Sequence, residues 1–184
     1  MSSPSTSGLL LLCVDLQSVF LKAIADAETV QRRCAFAIQA AVGLGIETVF
    51  TEQVPQKLGG TTHQLLSLAT NPTTLGKSTF SAFADDGIRD AVLARPPEHI
   101  LLCGVETSVC VYQTALDALA AGLHVTLLRD CVGARRPDDA RVCLDALVRA
   151  GAHVLPSETV FYALLRDTTH PFFKAYTQLV KTSA

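Results

Sequence analysis

The sequence predicts an α/β fold: three layers, with a mostly parallel sheet between helices on both faces. Three observations carry that prediction. Short apolar runs alternate with segments of helical periodicity, the pattern of βαβ units. Of the 184 residues, 49% are apolar and only 17% are charged, so the interior share is large and long disorder is excluded. The length suits one domain, and no linker or internal repeat divides it.

Each element has its own signal. Residues 1–7 are rich in Ser, Thr and Pro and lack Arg and Lys; they read as a short disordered tail before one domain at 8–184. LLLLCVD, residues 9–15, reads as a strand buried on both faces. Its six apolar residues are the longest such run. A membrane-spanning helix needs about 20, so no membrane partner is expected. Residues 26–42 read as a helix, with Val30, Cys34, Ala37, Ile38 and Ala41 on one face and Gly43 and Gly45 at its end. A second strand is expected at 48–51. Pro55, Gly59, Gly60, Pro72 and Gly76 break 52–76 into an irregular stretch around a short helix at 63–69.

Lys77 then falls in a connection leading through STFSAF to a helix at 86–94. HILLC, at 99–103, is a buried strand, followed by a helix at 107–121. HVTLL, at 124–128, is the next strand. A helix at 137–150 has Pro137 in its first turn. A last short strand is expected at His153–Leu155, with helices following from Glu158 and from Pro171.

Fifteen basic and 17 acidic side chains leave a net charge of −2, with no basic excess to neutralise a phosphate backbone. Nucleic acid is therefore not expected as a partner. Six cysteines without C-x-x-C spacing, and no secretory signal, point to a reducing compartment. The cytoplasm is expected, with the mitochondrion left open.

In an open parallel sheet, ligands bind beyond the carboxyl ends of the strands, where strand order reverses. Asp15 closes the first strand, Cys110 opens the helix after HILLC, and Asp130 follows HVTLL. A cysteine in the first turn of a helix, near a lysine such as Lys77, sits where a thiol pKa is depressed. A neighbouring carboxylate can then serve as base. Each residue also has a plainer reading. Lys77 would be a surface charge, Asp15 a loop anchor and Cys110 a core filler. Cys13, Cys34, Cys103 and Cys143 read as core, and Cys131 is favoured for packing. Asp130 is expected to hold loop N–H groups. His99, His124 and His153 open strands at the far end of the sheet and read as solvated. His63 stands alone, and Arg135 and Arg136 read as a solvated loop. No G-x-S-x-G, H-E-x-x-H, P-loop or dinucleotide motif is present, so neither metal nor cofactor is expected.

Several stretches nevertheless match a known family. They are LLLLCVDLQSVF (9–20), TEQVPQKLG (51–59), GKSTFSAF (76–83), LLCGVETSVCVYQTALDALAAGLHVTLLRD (101–130) and SETVFYALLRDTTHPFFKAYTQLVK (157–181). The chain resembles the isochorismatase-like cysteine hydrolases, most closely the isochorismatase domain-containing proteins of eukaryotes. The resemblance implies a Rossmann-like, six-stranded αβα sheet and a catalytic triad of Asp15, Lys77 and Cys110. It implies a cis peptide at Val105–Glu106 and an oxyanion hole built from the N–H groups of Glu106 and Cys110. Nearness to these positions makes Gln17, Phe20, Gln53, Phe80 and Thr107 the expected substrate contacts. Nicotinamidases of the superfamily carry an Asp-x-His metal pair where this chain has Thr51-Glu52-Gln53, so a metal-assisted nicotinamidase is disfavoured. True isochorismatases lack the nucleophilic cysteine, so vinyl-ether hydrolysis is disfavoured too.

The expected activity is hydrolysis of a small-molecule amide C–N bond through a thioester, by a homo-oligomer. A catalytically silent binding protein is the alternative. Fast labelling of Cys110 by iodoacetamide below neutral pH would separate the two. A redox role for Cys110, by sulfenic acid formation without an obvious resolving cysteine, ranks third; peroxide-driven pairing with Cys131 would promote it.

Overall fold

The computed structural model describes residues 6–94 and 96–183. The tail expected at 1–7 falls largely on residues 1–5, outside the described residues. Thr6 accepts a hydrogen bond from the Leu9 N–H at 3.1 Å.

In chain order the elements are β1 (Leu9–Val14), α1 (Ser18–Leu21), α2 (Ala27–Gly43), β2 (Glu47–Gln53), α3 (Pro55–Leu58), α4 (His63–Leu66), β3 (Thr73–Lys77), α5 (Asp86–Leu93) and β4 (His99–Val105). A π turn (Thr107–Val111) leads into α6 (Tyr112–Ala120). Then come β5 (His124–Gly133), α7 (Pro137–Arg149), β6 (His153–Leu155), α8 (Ser157–Leu165) and α9 (Phe173–Thr182). The strands form one sheet in the order β3-β2-β1-β4-β5-β6, with every pairing parallel. Strand order reverses between β1 and β4, which is where a crevice opens above such a sheet.

Alternation along the strands builds two cores. Leu11 and Cys13 of β1, Phe50 of β2 and Leu101 and Cys103 of β4 pack against Cys34, Phe36 and Ile38 of α2, Phe161 of α8 and Tyr176 of α9. Leu10, Leu12 and Val14 of β1, with Ile100 and Leu102 of β4, face Ile88 of α5, Ala115 of α6 and Leu144 and Leu147 of α7. No helix among the described residues is long and apolar enough to cross a membrane.

Three departures from the sequence reading matter for the site. Residues 73–77 form an edge strand, β3, instead of an irregular connection, so Lys77 ends a strand in register with Gln53. β5 continues to Gly133, past a register shift opposite β4 between Leu102 and Gly104. The helix expected from Thr107 begins as a π turn, in which the N–H groups of Val109 and Val111 both donate to the Glu106 carbonyl, at 3.0 and 3.2 Å.

The strand-opening histidines also need correction. His124 and His153 are exposed, but His99 is half-buried between them, with ring centroids 5.8 and 6.4 Å away. Its Nε2 lies 2.7 Å from Thr126 Oγ1.

Candidate active site

Two neighbouring strand ends hold the chemistry. Asp15 directly follows β1 with a left-handed backbone, φ +52°, a conformation that aspartate tolerates better than most residues. Cys110 lies in the π turn after β4. Between them β1 and β4 approach closely at Gly104, whose φ is +120°. A Cβ there would collide with the Val14 carbonyl, so the position requires glycine. The Val105–Glu106 peptide bond is cis.

Asp15 is 1% exposed and both its oxygens are engaged. Oδ2 accepts from Lys77 Nζ at 2.7 Å, and Oδ1 accepts from Thr51 Oγ1 at 2.9 Å. The Cys110 thiol lines the same cavity as this carboxylate, whose charge acts on it. Lys77 is fully covered. Its three donors go to Asp15, to Gln53 Oε1 at 2.6 Å and to the Thr79 carbonyl at 3.2 Å. The ammonium therefore lies behind Asp15 with no donor left over for a ligand.

The thiol's electrostatics overturn one expectation. Burial, then the charge of Asp15, push the Cys110 pKa up to about 12, and the Lys77 charge offsets only part of this. The predicted depressed thiol is absent because the lysine's charge is directed at Asp15, and Asp15, with the larger effect, sits against the sulfur. Iodoacetamide below neutral pH is thus no longer a reagent selective for Cys110. The Glu106 backbone acts on the thiol in the lowering direction.

A cavity of about 420 Å³ opens over Asp15 and Cys110. Its walls are mostly apolar, with Phe20, Ile24, Leu58, Phe80, Val105 and Val109 among them. Gln53, Glu106 and Arg135 supply polar atoms. Of the five expected substrate contacts, Phe20, Gln53 and Phe80 line this space. Gln17 and Thr107 do not, because both are fully buried and committed to backbone. Gln17 Nε2 donates to the carbonyls of Gln53 and Gly59, and its Oε1 accepts the Gln53 N–H at 2.6 Å. Thr107 Oγ1 donates to the Gly133 carbonyl at 2.9 Å. Gln17 thus holds Gln53, and Gln53 holds Lys77.

Thr51 and Arg135 were missed as site residues. Thr51 sits inside an apolar strand and carries no sequence signal. Arg135 reaches the cavity only because β5 runs on to Gly133; its Nε donates to Glu106 Oε2 at 2.8 Å.

The remaining cysteines divide by face. Cys13, Cys34, Cys103 and Cys131 are fully covered in the core beneath α2, whereas Cys110 belongs to the opposite face and is 8% exposed; Cys143, expected in the core, is instead half-buried on α7 and lines a surface groove. Cys131 lies on the opposite face of the sheet from Cys110 and is not placed to resolve a sulfenic acid there. Asp130 accepts the Ser157 N–H at 2.7 Å and the Arg33 Nε–H at 2.7 Å, anchoring α8 as expected. Arg136 pairs with Asp139. Among the described residues no cluster of His, Cys, Asp and Glu has the arrangement of a metal site.

Comparison with known proteins agrees with this architecture. The isochorismatase domain model matches residues 9–159. Isochorismatase domain-containing protein 2 of Bos taurus is 38% identical over 176 residues, covering 95% of this chain and 83% of that protein. A structure described as MAR1 ribonuclease from Caenorhabditis elegans superposes with a TM-score of 0.90 at 32% identity, covering 100% of this chain and 94% of that one. The Escherichia coli YcaC product, described as an octameric hydrolase of unknown specificity, gives a TM-score of 0.85 at 20% identity over 99% and 96% of the two chains; that likeness concerns the fold alone. With the sheet order, the strand-end aspartate and the cysteine after β4 all in place, and a family model spanning most of the sequence, the chain belongs to the isochorismatase family.

Proposed function

We propose that the protein is a cysteine hydrolase of small-molecule amides. One observation carries the reading: a thiol and a buried, lysine-paired carboxylate line one largely apolar cavity.

The raised thiol pKa defines the first step. No standing thiolate waits for substrate; Asp15 accepts the Cys110 proton as the sulfur attacks the carbonyl carbon. The carbonyl π pair moves onto oxygen, and the oxyanion is held by the N–H groups of Glu106 and Cys110. Collapse breaks the C–N bond, and the departing amine takes the proton from Asp15. A water then gives its proton to Asp15 and attacks the thioester. The second collapse breaks the C–S bond, releases the carboxylic acid and returns the proton from Asp15 to sulfur. Lys77 stays charged throughout, holding Asp15 in line through Oδ2, while Thr51 fixes Oδ1.

Turnover of a panel of small primary amides by the native protein, with Cys110→Ala and Asp15→Asn beside it, tests the reading. Hydrolysis by the native protein and its loss in both variants are expected. Hydrolysis retained by Cys110→Ala overturns it. An RNA substrate belongs in the same experiment, because a 32%-identical structure is described as a ribonuclease. Cleavage of RNA without amide turnover would replace the amidase reading.

The protein is also proposed to be a homo-oligomer. Val142 and Val148 of α7, Leu155 of β6 and Tyr162 of α8 are exposed large hydrophobic residues around the β6 edge. A monomer by sedimentation at micromolar concentration would refute this.

A further inference from the structure

We propose that Arg135 is the specificity determinant of the site and selects substrates that carry a carboxylate remote from the scissile amide. The inference rests on the amidohydrolase reading, and goes beyond it by naming the substrate class. Arg135, its side chain 54% exposed, lines the cavity together with Phe20, Ile24 and Phe80. Its position is fixed by Glu106: the Arg135 Nε donates to Glu106 Oε2 at 2.8 Å, and its backbone N–H lies 3.4 Å from Oε1. Ser108 Oγ donates to the same carboxylate at 3.2 Å. A guanidinium has two usable edges. Glu106 occupies the Nε side, so the Nη1/Nη2 edge has no partner among the described residues.

Every other strong donor nearby is committed. Lys77 spends its three protons on Asp15, Gln53 and Thr79, and Gln53 Nε2 donates to the Ser78 carbonyl at 3.0 Å. Arg136, paired through its Nε with Asp139, does not line this cavity. Among the residues lining the cavity, Arg135 therefore carries the one cationic fork with an unused edge, beside largely apolar walls. A planar carboxylate fits that edge in bidentate geometry. Glu106 is engaged by the Nε side of Arg135 and by Ser108, which leaves the outer guanidinium edge as the place for a second carboxylate. Arg135 also lines an adjoining groove of about 380 Å³ with Val109, Val142 and Cys143, so a longer acid has room to pass the anchor.

The test uses succinamate, glutaramate and adipamate, each against its methyl ester. The native protein is expected to favour at least one acid over its ester in kcat/KM by about 10- to 100-fold, the range of a charge-assisted hydrogen bond. In Arg135→Ala that ratio falls to near one, and Arg135→Lys restores part of it. Equal kcat/KM for acids and esters in the native protein overturns the proposal. So does an Arg135→Ala variant that slows acid and ester alike, because a purely structural role would leave the ratio intact. Calorimetric binding of the three acids to Cys110→Ala, with and without Arg135→Ala, separates this inference from the reading beneath it. Binding that depends on Arg135, without turnover by the native protein, keeps the anchor and removes the hydrolase. No binding and no turnover removes both.

Discussion

Replacing Lys77 with methionine tests the buried ion pair on which the site is built. The substitution keeps an unbranched chain of similar length and removes only the charge and its donors. Asp15, 1% exposed, is then left with the Thr51 hydroxyl as its side-chain donor and no counter-charge. Gln53 Oε1 and the Thr79 carbonyl lose their donor as well. Breaking one side of a buried pair costs about 3–5 kcal/mol, far more than a surface pair, because the remaining charge cannot be solvated. For a domain of this size that is a fall in Tm of about 6–20 °C. Urea unfolding followed by far-UV circular dichroism gives the same quantity at constant m. Adding Asp15→Asn to the variant removes the orphaned charge and should recover part of the loss. A loss below about 1 kcal/mol, the range of exposed pairs, would refute the placement of Lys77 behind Asp15.

Three further outcomes follow from the same coordinates. Gly104→Ala should cost about 3 kcal/mol or more in thermal unfolding, because its Cβ meets the β1 backbone and its φ is +120°; a loss under about 1 kcal/mol would show that β1 and β4 are not in that contact. The rate of Cys110 alkylation by iodoacetamide, followed by peptide mapping, should keep rising with pH toward about 12, and Asp15→Asn should move the profile to lower pH; a plateau below pH ~8 would mean a standing thiolate. The His99 pKa is lowered by burial first and then by His124 and His153. A base whose folded pKa lies below its unfolded value of about 6.5 binds more protons unfolded, so its contribution is fully present above that pH and is lost as pH falls through the folded value. The acid side of the stability profile should therefore flatten in His99→Gln, and an unchanged profile would contradict the cluster's role.

How much of this was legible in the sequence depended on what each element buries. β1 and β4 are covered on both faces, so LLLLCV and HILLC read directly as strands. β3 was not legible: it is an edge strand whose sequence, TTLGK, is mostly exposed and presents no apolar run. That omission put Lys77 in a connection, although its strand-end position is what brings the amine to Asp15. A helix pattern was visible from Thr107, but side-chain periodicity does not reveal the one extra residue per turn that sets the backbone around Cys110. Asp15 and Cys110 were readable as strand-end residues. The sign of the thiol shift was not, since it is set first by how deeply the fold buries the sulfur and then by the balance of the Asp15 and Lys77 charges. Gln17 and Thr107 were assigned by nearness along the chain, whereas their hydrogen bonds to carbonyls turn them away from the cavity. Arg135 looked like a solvated loop residue because its partner, Glu106, lies 29 positions earlier.

The account stands on the sulfur of Cys110 carrying the acyl group between two half-reactions. Acid quenching of the protein during turnover of an amide, followed by intact-mass and peptide analysis, looks for that species directly. A mass increase equal to the acyl fragment, confined to the peptide containing Cys110 and absent from Cys110→Ala, is the predicted result. Steady turnover with no acyl adduct, unaffected by loss of the thiol, would contradict it.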